Sequence, residues 1–301
     1  MTLKALQTIR RGVFAVSGHY LLFPERLEAH TDRVRLPNDT SIVIGTAFLA
    51  DQSGTILITA RHVITDFIAR TEAMRPRFES GELDAMFRRP LLVIQKQVTD
   101  NSERPPEMGP DGANATAVSA LIVAAIGYLL DSVYDLAALY LAGSAIGGGA
   151  FDPAVLALAP GEANLGDEVV ACGYPFGSEL NRRHGVLFGN PPTFTRGMVG
   201  AILPEWSAHP SMRSGFRFDA TILPGNSGGP VCDSRSGKVV GVVSSVTVTR
   251  VQHLGHNMTR EHSAVPVGLP HAVPLYHLRA FLQEARARRD DAVDFANGPI
   301  V

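Results

Sequence analysis

The chain has 301 residues and a net charge of −2, and 45% of its residues are hydrophobic, with 20 prolines and 29 glycines that favour many turns. The near-neutral charge and the shortness of the basic clusters exclude an extended nucleic-acid-binding surface. The longest apolar run, 117–130, is interrupted by Ser119 and Gly127, so no membrane-spanning segment is predicted.

The N-terminus and the two cysteines bear on the compartment. Lys4 and Arg10 precede a short apolar stretch that Gly18 ends, so a secretory signal peptide is not predicted. Cys172 and Cys232 each follow apolar, strand-like residues, and the pattern favours two buried thiols over a bridge, although their separation cannot be read from the sequence. We therefore expect a cytoplasmic location.

The first predicted elements are a β-hairpin and a long loop. Residues 42–50 and 56–60 have strand texture, and Gly54 supplies the turn between them. From 68 to 117 the sequence becomes charged and rich in proline, which predicts a surface loop or insertion whose central part is poorly ordered.

The rest of the chain is predicted to contain further strands and one terminal helix. The strand segments are 117–126, 136–141, 168–173, 195–203, 216–223 and 238–248. Their short spacing is typical of sandwiches and barrels, which makes the predicted fold class all-β. Beyond Pro274 the apolar residues Leu275, Leu278 and Leu282 predict an amphipathic C-terminal helix.

A glycine-rich loop at 224–230, with the sequence PGNSGGP, has the character of a nucleophile loop. A serine attacks a carbonyl only when a base takes its proton and nearby donors hold the oxyanion, so backbone must approach the substrate closely. In this interpretation the amides of Gly225 and Ser227 point into one small hole. The alternatives are an ordinary turn between strands and the G-x-S-x-G elbow of α/β-hydrolases. The elbow is disfavoured because its acid and histidine follow the serine, and because 230–240 is predicted as strand, turn and strand.

His62 and Asp135 are the candidate partners of that serine. His62 follows the strand 56–60, where a short helical turn is predicted to begin. Asp135 opens an apolar strand, so its carboxylate is expected near the core, where it needs a partner such as a histidine N–H. Asp131, four residues earlier, is the rival for this role.

Taken together, these segments resemble the chymotrypsin-like (trypsin-like) serine peptidases, and most closely the bacterial branch that includes the HtrA/DegP peptidases. The motifs that carry the resemblance occur in the family's order: GTAFL at 45–49, TARHV at 59–63, DLA at 135–137, GDEV at 166–169 with GYP at 173–175, TRGMV at 195–199, GNSGGP at 225–230, GVV at 241–243 and AVP at 272–274.

The resemblance implies a double six-stranded antiparallel β-barrel with a C-terminal helix. A single peptidase unit, 1–301, would comprise an N-terminal barrel at about 12–145 with an insertion at about 68–117, a C-terminal barrel at about 150–270 and a helix at 274–290.

The resemblance also implies the role of each site residue. His62 becomes the general base and then the general acid, and Asp135 orients it. Ser227 forms the acyl-enzyme, and its amide forms the oxyanion hole together with that of Gly225. The residues expected to line the primary specificity pocket are Thr221, Ser244, Ser245 and Val246. Because no aspartate stands at the Thr221 position, we expect a small or medium apolar side chain before the scissile bond.

Three departures from the family pattern are visible. The interval between His62 and Asp135 is long, and the insertion in it is a candidate lid, a site for a regulatory protein partner, or a tolerated loop without a role. Asn226 replaces the aspartate that pairs with a newly cut N-terminus in digestive peptidases, so activation by N-terminal cleavage is not expected. Because the chain stops at Val301, we expect no PDZ domain.

The predicted function is therefore that of a serine endopeptidase making limited cuts in a specific protein or peptide target. The alternative is a peptidase fold kept as a latent or non-catalytic binding module. His253, His256 and His262 match no strong zinc pattern, and we expect neither a metal nor another cofactor.

Overall fold

The structure is a computed structural model that describes residues 1–19, 41–79, 91–98, 119–141, 153–175, 192–204, 209–245, 248–254, 260–266 and 268–294. The elements up to residue 141 are α1 (Leu3–Gly12), β1 (Val13–His19), β2 (Ser41–Leu49), β3 (Ile56–Thr59), α2 (Arg61–Glu79), β4 (Leu91–Val98), β5 (Ser119–Leu130) and β6 (Ala137–Leu141). The later elements are β7 (Glu168–Gly173), β8 (Thr193–Leu203), β9 (Gly215–Phe218), β10 (Pro230–Asp233), β11 (Val239–Ser245), β12 (Val248–Leu254), β13 (Arg260–Pro266), β14 (His271–Pro274), α3 (Leu275–Ala287) and β15 (Val293–Asp294).

Six strands of the first half form a closed antiparallel ring in the order β1-β2-β3-β6-β5-β4. The ring closes because β5 is long: its residues 119–124 pair with β4, and its residues 125–130 pair with β6. Strand β15 adds to β5 at its outer side. We call this ring the first barrel.

Strands β3 and β6 are buried on both faces, which explains why their sequences are almost continuously apolar. Leu57 and Leu139 pack in one hydrophobic cluster. Ile58 and Ala138, on the other face, join a second cluster that includes Phe281 of α3. Alternate side chains of a strand point to opposite faces, so apolar cover on both sides requires an apolar residue at every position.

The second barrel is a closed ring in the order β10-β11-β14-β9-β8-β7. Cys172 on β7 and Cys232 on β10 lie in it as free, buried thiols, as the strand pattern predicts. Burial in apolar surroundings raises the pKa of both thiols. Strands β12 and β13 form a separate two-stranded hairpin.

Helix α3 contacts both barrels. Leu278, Phe281 and Ala285 are almost fully buried in the cluster shared with strands of each barrel. Tyr140 of the first barrel donates its hydroxyl hydrogen to the carbonyl of Ala285 at 2.8 Å. The helix begins directly after Pro274, whose φ of −74° and extended ψ suit a position before the first turn. It thereby packs across the two halves of the protein.

The all-β prediction, with two six-stranded barrels and a C-terminal helix, is confirmed. None of the helices that the structure describes is long and apolar enough to span a membrane.

Some predicted elements need correction. The interval 68–117 is not simply a loop: α2 runs on to Glu79, and β4 is a strand of the first barrel that pairs with β1 and β5. In the sequence, the eight residues of β4, LLVIQKQV, are flanked by stretches of charged residues and prolines, so the local pattern does not indicate a strand. Residues 80–90 and 99–118, where poor order was predicted, lie outside the described residues. The predicted strand 216–223 ends at Phe218, and 238–248 is divided between β11 and β12.

Candidate active site

Strand pairing brings His62 and Asp135 together. Strands β3 and β6 are neighbours, with Thr59 at the end of β3 opposite Ala137 at the start of β6. His62 is the second residue of α2, three residues after Thr59, and Asp135 stands two residues before Ala137. Nδ1 of His62 lies 2.8 Å from Oδ2 of Asp135, and the backbone N–H of His62 donates to Oδ1 at 2.9 Å. This double contact fixes both the position and the tilt of the imidazole.

The rival carboxylate, Asp131, holds the loop in which Asp135 lies. Its Oδ1 accepts hydrogen bonds from the amides of Val133 and Tyr134, each at 2.7 Å. The guanidinium of Arg61 donates to the Asp131 carbonyl at 2.9 Å. Asp131 therefore shapes the turn, and Asp135 is the carboxylate that contacts the histidine.

Ser244 completes the surroundings of the Asp135 carboxylate. Its hydroxyl donates to Oδ2 of Asp135 at 2.6 Å, and the residue is only 5% exposed. Ser244 was predicted as a lining residue of the specificity pocket, but its side chain is committed to Asp135, which leaves only its backbone for a substrate. Apart from a polar residue at the end of an apolar strand, no sequence pattern indicates this contact.

These contacts shift the pKa values of the pair in opposite directions. Burial opposes the charged form of Asp135, but hydrogen bonds from His62 and Ser244 and the charge of His62 outweigh it and lower the pKa of the carboxyl. Burial also opposes the imidazolium of His62, yet the hydrogen bond and charge of Asp135, with a smaller contribution from Asp66, raise the pKa of the ring. The site is thus arranged to stabilise a protonated histidine.

The glycine-rich loop presents Ser227 on a sharp turn. Gly225 and Gly228 have φ values of 99° and 83°, a region that side chains other than hydrogen rarely tolerate. The amide of Gly228 donates to the carbonyl of Val243 at 2.7 Å, which ties the loop to β11. An added Cβ at Gly228 would meet the carbonyl oxygen of Thr46 and atoms of β3 and its end, so this position also requires a residue without a side chain.

Thr46 of the first barrel holds the loop from the opposite side. Its amide donates to the carbonyl of Ser227 at 2.8 Å, and its hydroxyl donates to the carbonyl of Gly225 at 2.7 Å. The same hydroxyl accepts from the amide of Tyr174 at 3.0 Å. This residue lies in the GTAFL motif, and its fully buried side chain makes it part of the framework of the site.

The hydroxyl of Ser227 donates to the carbonyl of Ser244 at 3.4 Å. Within the described part of the chain, no hydrogen bond joins Ser227 to the ring of His62. Ser244 therefore links the two halves of the site, since its carbonyl faces Ser227 and its hydroxyl holds Asp135. Among the described residues, the amides of Gly225 and Ser227 donate to no hydrogen-bond acceptor.

The remaining predicted site residues are placed as follows. Thr221 and Ser245 are exposed, and Val246 lies outside the described residues, so the pocket that they were predicted to line remains a prediction. Among the described residues, no group of three or more histidine, cysteine, aspartate or glutamate side chains could hold a metal ion.

A histidine held by a partly buried carboxylate, together with a serine on a glycine-rich turn, belongs to the chemistry of serine hydrolases. The two closed barrels narrow that class to peptidases of the chymotrypsin type. The family comparison agrees: residues 45–242 match the model of the trypsin-like peptidase domain, so the chain belongs to the family of trypsin-like peptidases.

Solved structures of HtrA-type proteases are also similar. The HtrA-type protease AlgW with a decapeptide is 18% identical with a TM-score of 0.49, and the match covers 94% of this chain and 66% of that chain. AlgW with a tripeptide is 18% identical with a TM-score of 0.47, covering 93% and 62%. The chain thus spans less than two thirds of the length of either AlgW chain. None of the curated proteins matches it.

Proposed function

We propose that this protein hydrolyses peptide bonds through an acyl-enzyme, with Ser227 as nucleophile, His62 as general base and acid, and Asp135 as the orienting carboxylate. The contact between His62 Nδ1 and Asp135 carries the proposal. Because Nδ1–H donates to the carboxylate, the neutral ring leaves Nε2 without a proton and able to accept one.

The first half of the proposed reaction is acylation. The Ser227 oxygen attacks the substrate carbonyl carbon while its proton passes to Nε2 of His62. The carbonyl oxygen becomes an oxyanion, and the amides of Gly225 and Ser227 donate to it. When the C–N bond breaks, Nε2 returns the proton to the leaving amine, and the acyl group remains on Ser227.

Deacylation repeats these steps with water as the nucleophile. Nε2 of His62 takes a proton from the water, whose oxygen attacks the acyl carbon, and then returns the proton to the oxygen of Ser227. Asp135 stays ionised throughout, because the contacts with His62 and Ser244 that lower its pKa persist while the imidazolium forms.

A second candidate, a latent peptidase or binding module, is favoured by the bond between the Ser227 hydroxyl and the Ser244 carbonyl. In this arrangement the serine proton points away from the base. Rotation of the Ser227 side chain toward His62 would give the catalytically competent conformation. A protein in which this rotation never occurred would bind peptides without cleaving them.

A fluorophosphonate probe separates the two candidates. We expect wild-type protein to be labelled, Ser227→Ala not to be labelled, and Ser214→Ala, which removes an exposed hydroxyl of the second barrel, to be labelled like wild type. Folded wild-type protein that resists the probe with and without added peptide would favour the binding module.

Substrate choice is a further part of the proposal. We infer that the protein accepts small or medium apolar side chains before the scissile bond, because Thr221 places no charge at the predicted pocket. We also infer that the protein makes limited cuts in one target, and that a regulatory protein partner contacts the interval 68–117. Profiling with a peptide library tests the preference: cleavage mainly after Arg or Lys would contradict it, and broad acceptance of sequences would contradict limited proteolysis.

A further inference from the structure

His277, near the start of α3, joins three separate parts of the protein. The residue is 6% exposed, which is unusual burial for a histidine outside the reacting groups. Nε2 donates to the carbonyl of Arg213 in the second barrel at 2.7 Å. Its face stacks on the ring of Tyr134, with centroids 3.5 Å apart and planes inclined by 22°.

Tyr134 connects this ring to the proposed triad, because it immediately precedes Asp135. The two residues belong to the tight loop between β5 and β6 that Asp131 shapes through its bonds to the amides of Val133 and Tyr134. The loop is short and internally bonded, so a displacement of the Tyr134 ring moves the Asp135 backbone with it.

The Asp135 carboxylate has to satisfy groups on both barrels. His62 belongs to the first barrel, whereas Ser244 is on β11 of the second. The bonds made by Asp131 fix the shape of the loop, but they all lie within the first barrel. Contacts from the loop to groups outside that barrel include the bond from Ser244 to the Asp135 carboxylate and the stack of Tyr134 on His277, whose ring bonds to Arg213.

We propose that His277 is a positioning residue for the triad: through its stack on Tyr134 and its bond to Arg213, it sets the Asp135 loop against the second barrel. The inference rests on the proposed function and deepens it, since it identifies a residue of α3 that controls the geometry of the reacting groups without touching them. Small misplacements of a catalytic group are costly, on the order of 100-fold in rate for about 1 Å.

The test compares His277→Ala and Tyr134→Ala with two controls. Tyr134→Phe keeps the stacked ring, and Gln283→Ala alters an exposed residue of the same helix. We expect both alanine variants to lower kcat by about 10- to 100-fold with little change in KM, and both controls to behave like wild type. Substitution at both positions should cost no more than either single change, because the two residues act through one contact.

Titration of the His62 imidazole by NMR provides a readout that does not require turnover. Since contact with Asp135 raises the pKa of His62, both alanine variants should lower it, whereas Tyr134→Phe should leave it unchanged. Folded Tyr134→Ala protein with unchanged His62 titration and unchanged kcat would overturn the inference, even if His277→Ala failed to fold. Failure of the proposed function gives a different result: wild-type protein that is neither labelled nor active, whatever His62 does.

Discussion

His62 and Asp135 lie in the first barrel and are joined by a side-chain hydrogen bond, whereas Ser227 lies in the second barrel on a turn that backbone hydrogen bonds and the Thr46 hydroxyl hold. His62 and Asp135 lie beside paired strands, and their relative position follows from the β3–β6 register. The serine turn depends on two glycines with positive φ and on Thr46 from the other barrel. The geometry of the first region therefore depends mainly on contacts between side chains, and that of the second depends mainly on backbone conformation.

The largest expected effect comes from Asp135→Asn, which keeps the shape of the side chain and removes its charge. The new amide N–H can donate to Nδ1 of His62, which places the imidazole proton on Nε2. With Nε2 protonated, the ring cannot accept the proton of Ser227. We expect kcat to fall by about 10⁴-fold, as when an orienting aspartate is neutralised in other triads. Hydrolysis of a peptide substrate is the measurement.

Asp131→Asn is the matched control for that prediction. Its side-chain oxygen can still accept from the amides of Val133 and Tyr134, so the loop should keep its shape. Activity should remain within about threefold of wild type, the range typical of surface changes that preserve hydrogen bonds. Equal losses for the two variants would show that loop shape, and not the Asp135 charge, limits the reaction.

Gly228→Ala tests the second half of the comparison. The φ of 83° costs a side chain about 1–2 kcal/mol, and overlap of the new Cβ with the first barrel adds about 1–3 kcal/mol. We expect the free energy of unfolding to fall by about 3 kcal/mol in urea titrations. Gly161→Ala is the control, because a Cβ there meets nothing within 4 Å, and it should change stability little.

Sequence patterns could predict the parts of the site that are local. Glycines mark the loop 224–230, and apolar runs mark the strands next to His62 and Asp135. The sequence alone therefore predicts where these elements lie. The sequence favours Asp135 over Asp131 because Asp135 opens the apolar strand, and in the structure Asp135 is the carboxylate that meets the histidine.

Contacts made across the barrels could not be predicted. The bond from Ser244 to Asp135 joins residues 109 positions apart, and the stack of Tyr134 on His277 joins different elements, so neither leaves a local pattern. Helix α2 was underestimated because Pro76 lies inside it, and proline usually interrupts a helix.

The pH dependence of the reaction tests the acid–base pair directly. The pKa of His62 is raised above its usual value of 6.5. Below this pKa the imidazole is protonated and cannot act as a base, so activity has a lower pH limit that lies above pH 6.5. Below that limit kcat/KM should fall by about tenfold for each pH unit. A limit at or below pH 6.5 in the rate profile would show that Asp135 does not support the imidazolium.

The same shifts fix the sign of the effect on stability. The raised pKa of His62 contributes stability that is present below 6.5 and lost as the pH rises through the folded value. The lowered pKa of Asp135 contributes stability that is present above 3.8 and lost as the pH falls through the folded value. The difference in unfolding free energy between wild type and Asp135→Asn should therefore be largest between these two limits, and a difference independent of pH would contradict the pairing.

The smallest effect concerns how α3 is tied to the first barrel. Arg286 Nε lies 2.6 Å from Oδ1 of Asp51, whose side chain is 6% exposed, so Arg286→Gln leaves a buried carboxylate with less compensation. We expect a loss of about 1 kcal/mol, more than for an exposed pair, because Asp51 retains its bonds to Ser53 but loses its cation. Arg288→Gln is the control: among the described residues Arg288 pairs with exposed side chains of α3 and the turn after it, so its loss should cost less than the loss of Arg286. Urea titrations of both variants measure the difference. Equal values would mean that the contact between Arg286 and Asp51 adds nothing to what the apolar face of α3 and the bond from Tyr140 to Ala285 already supply.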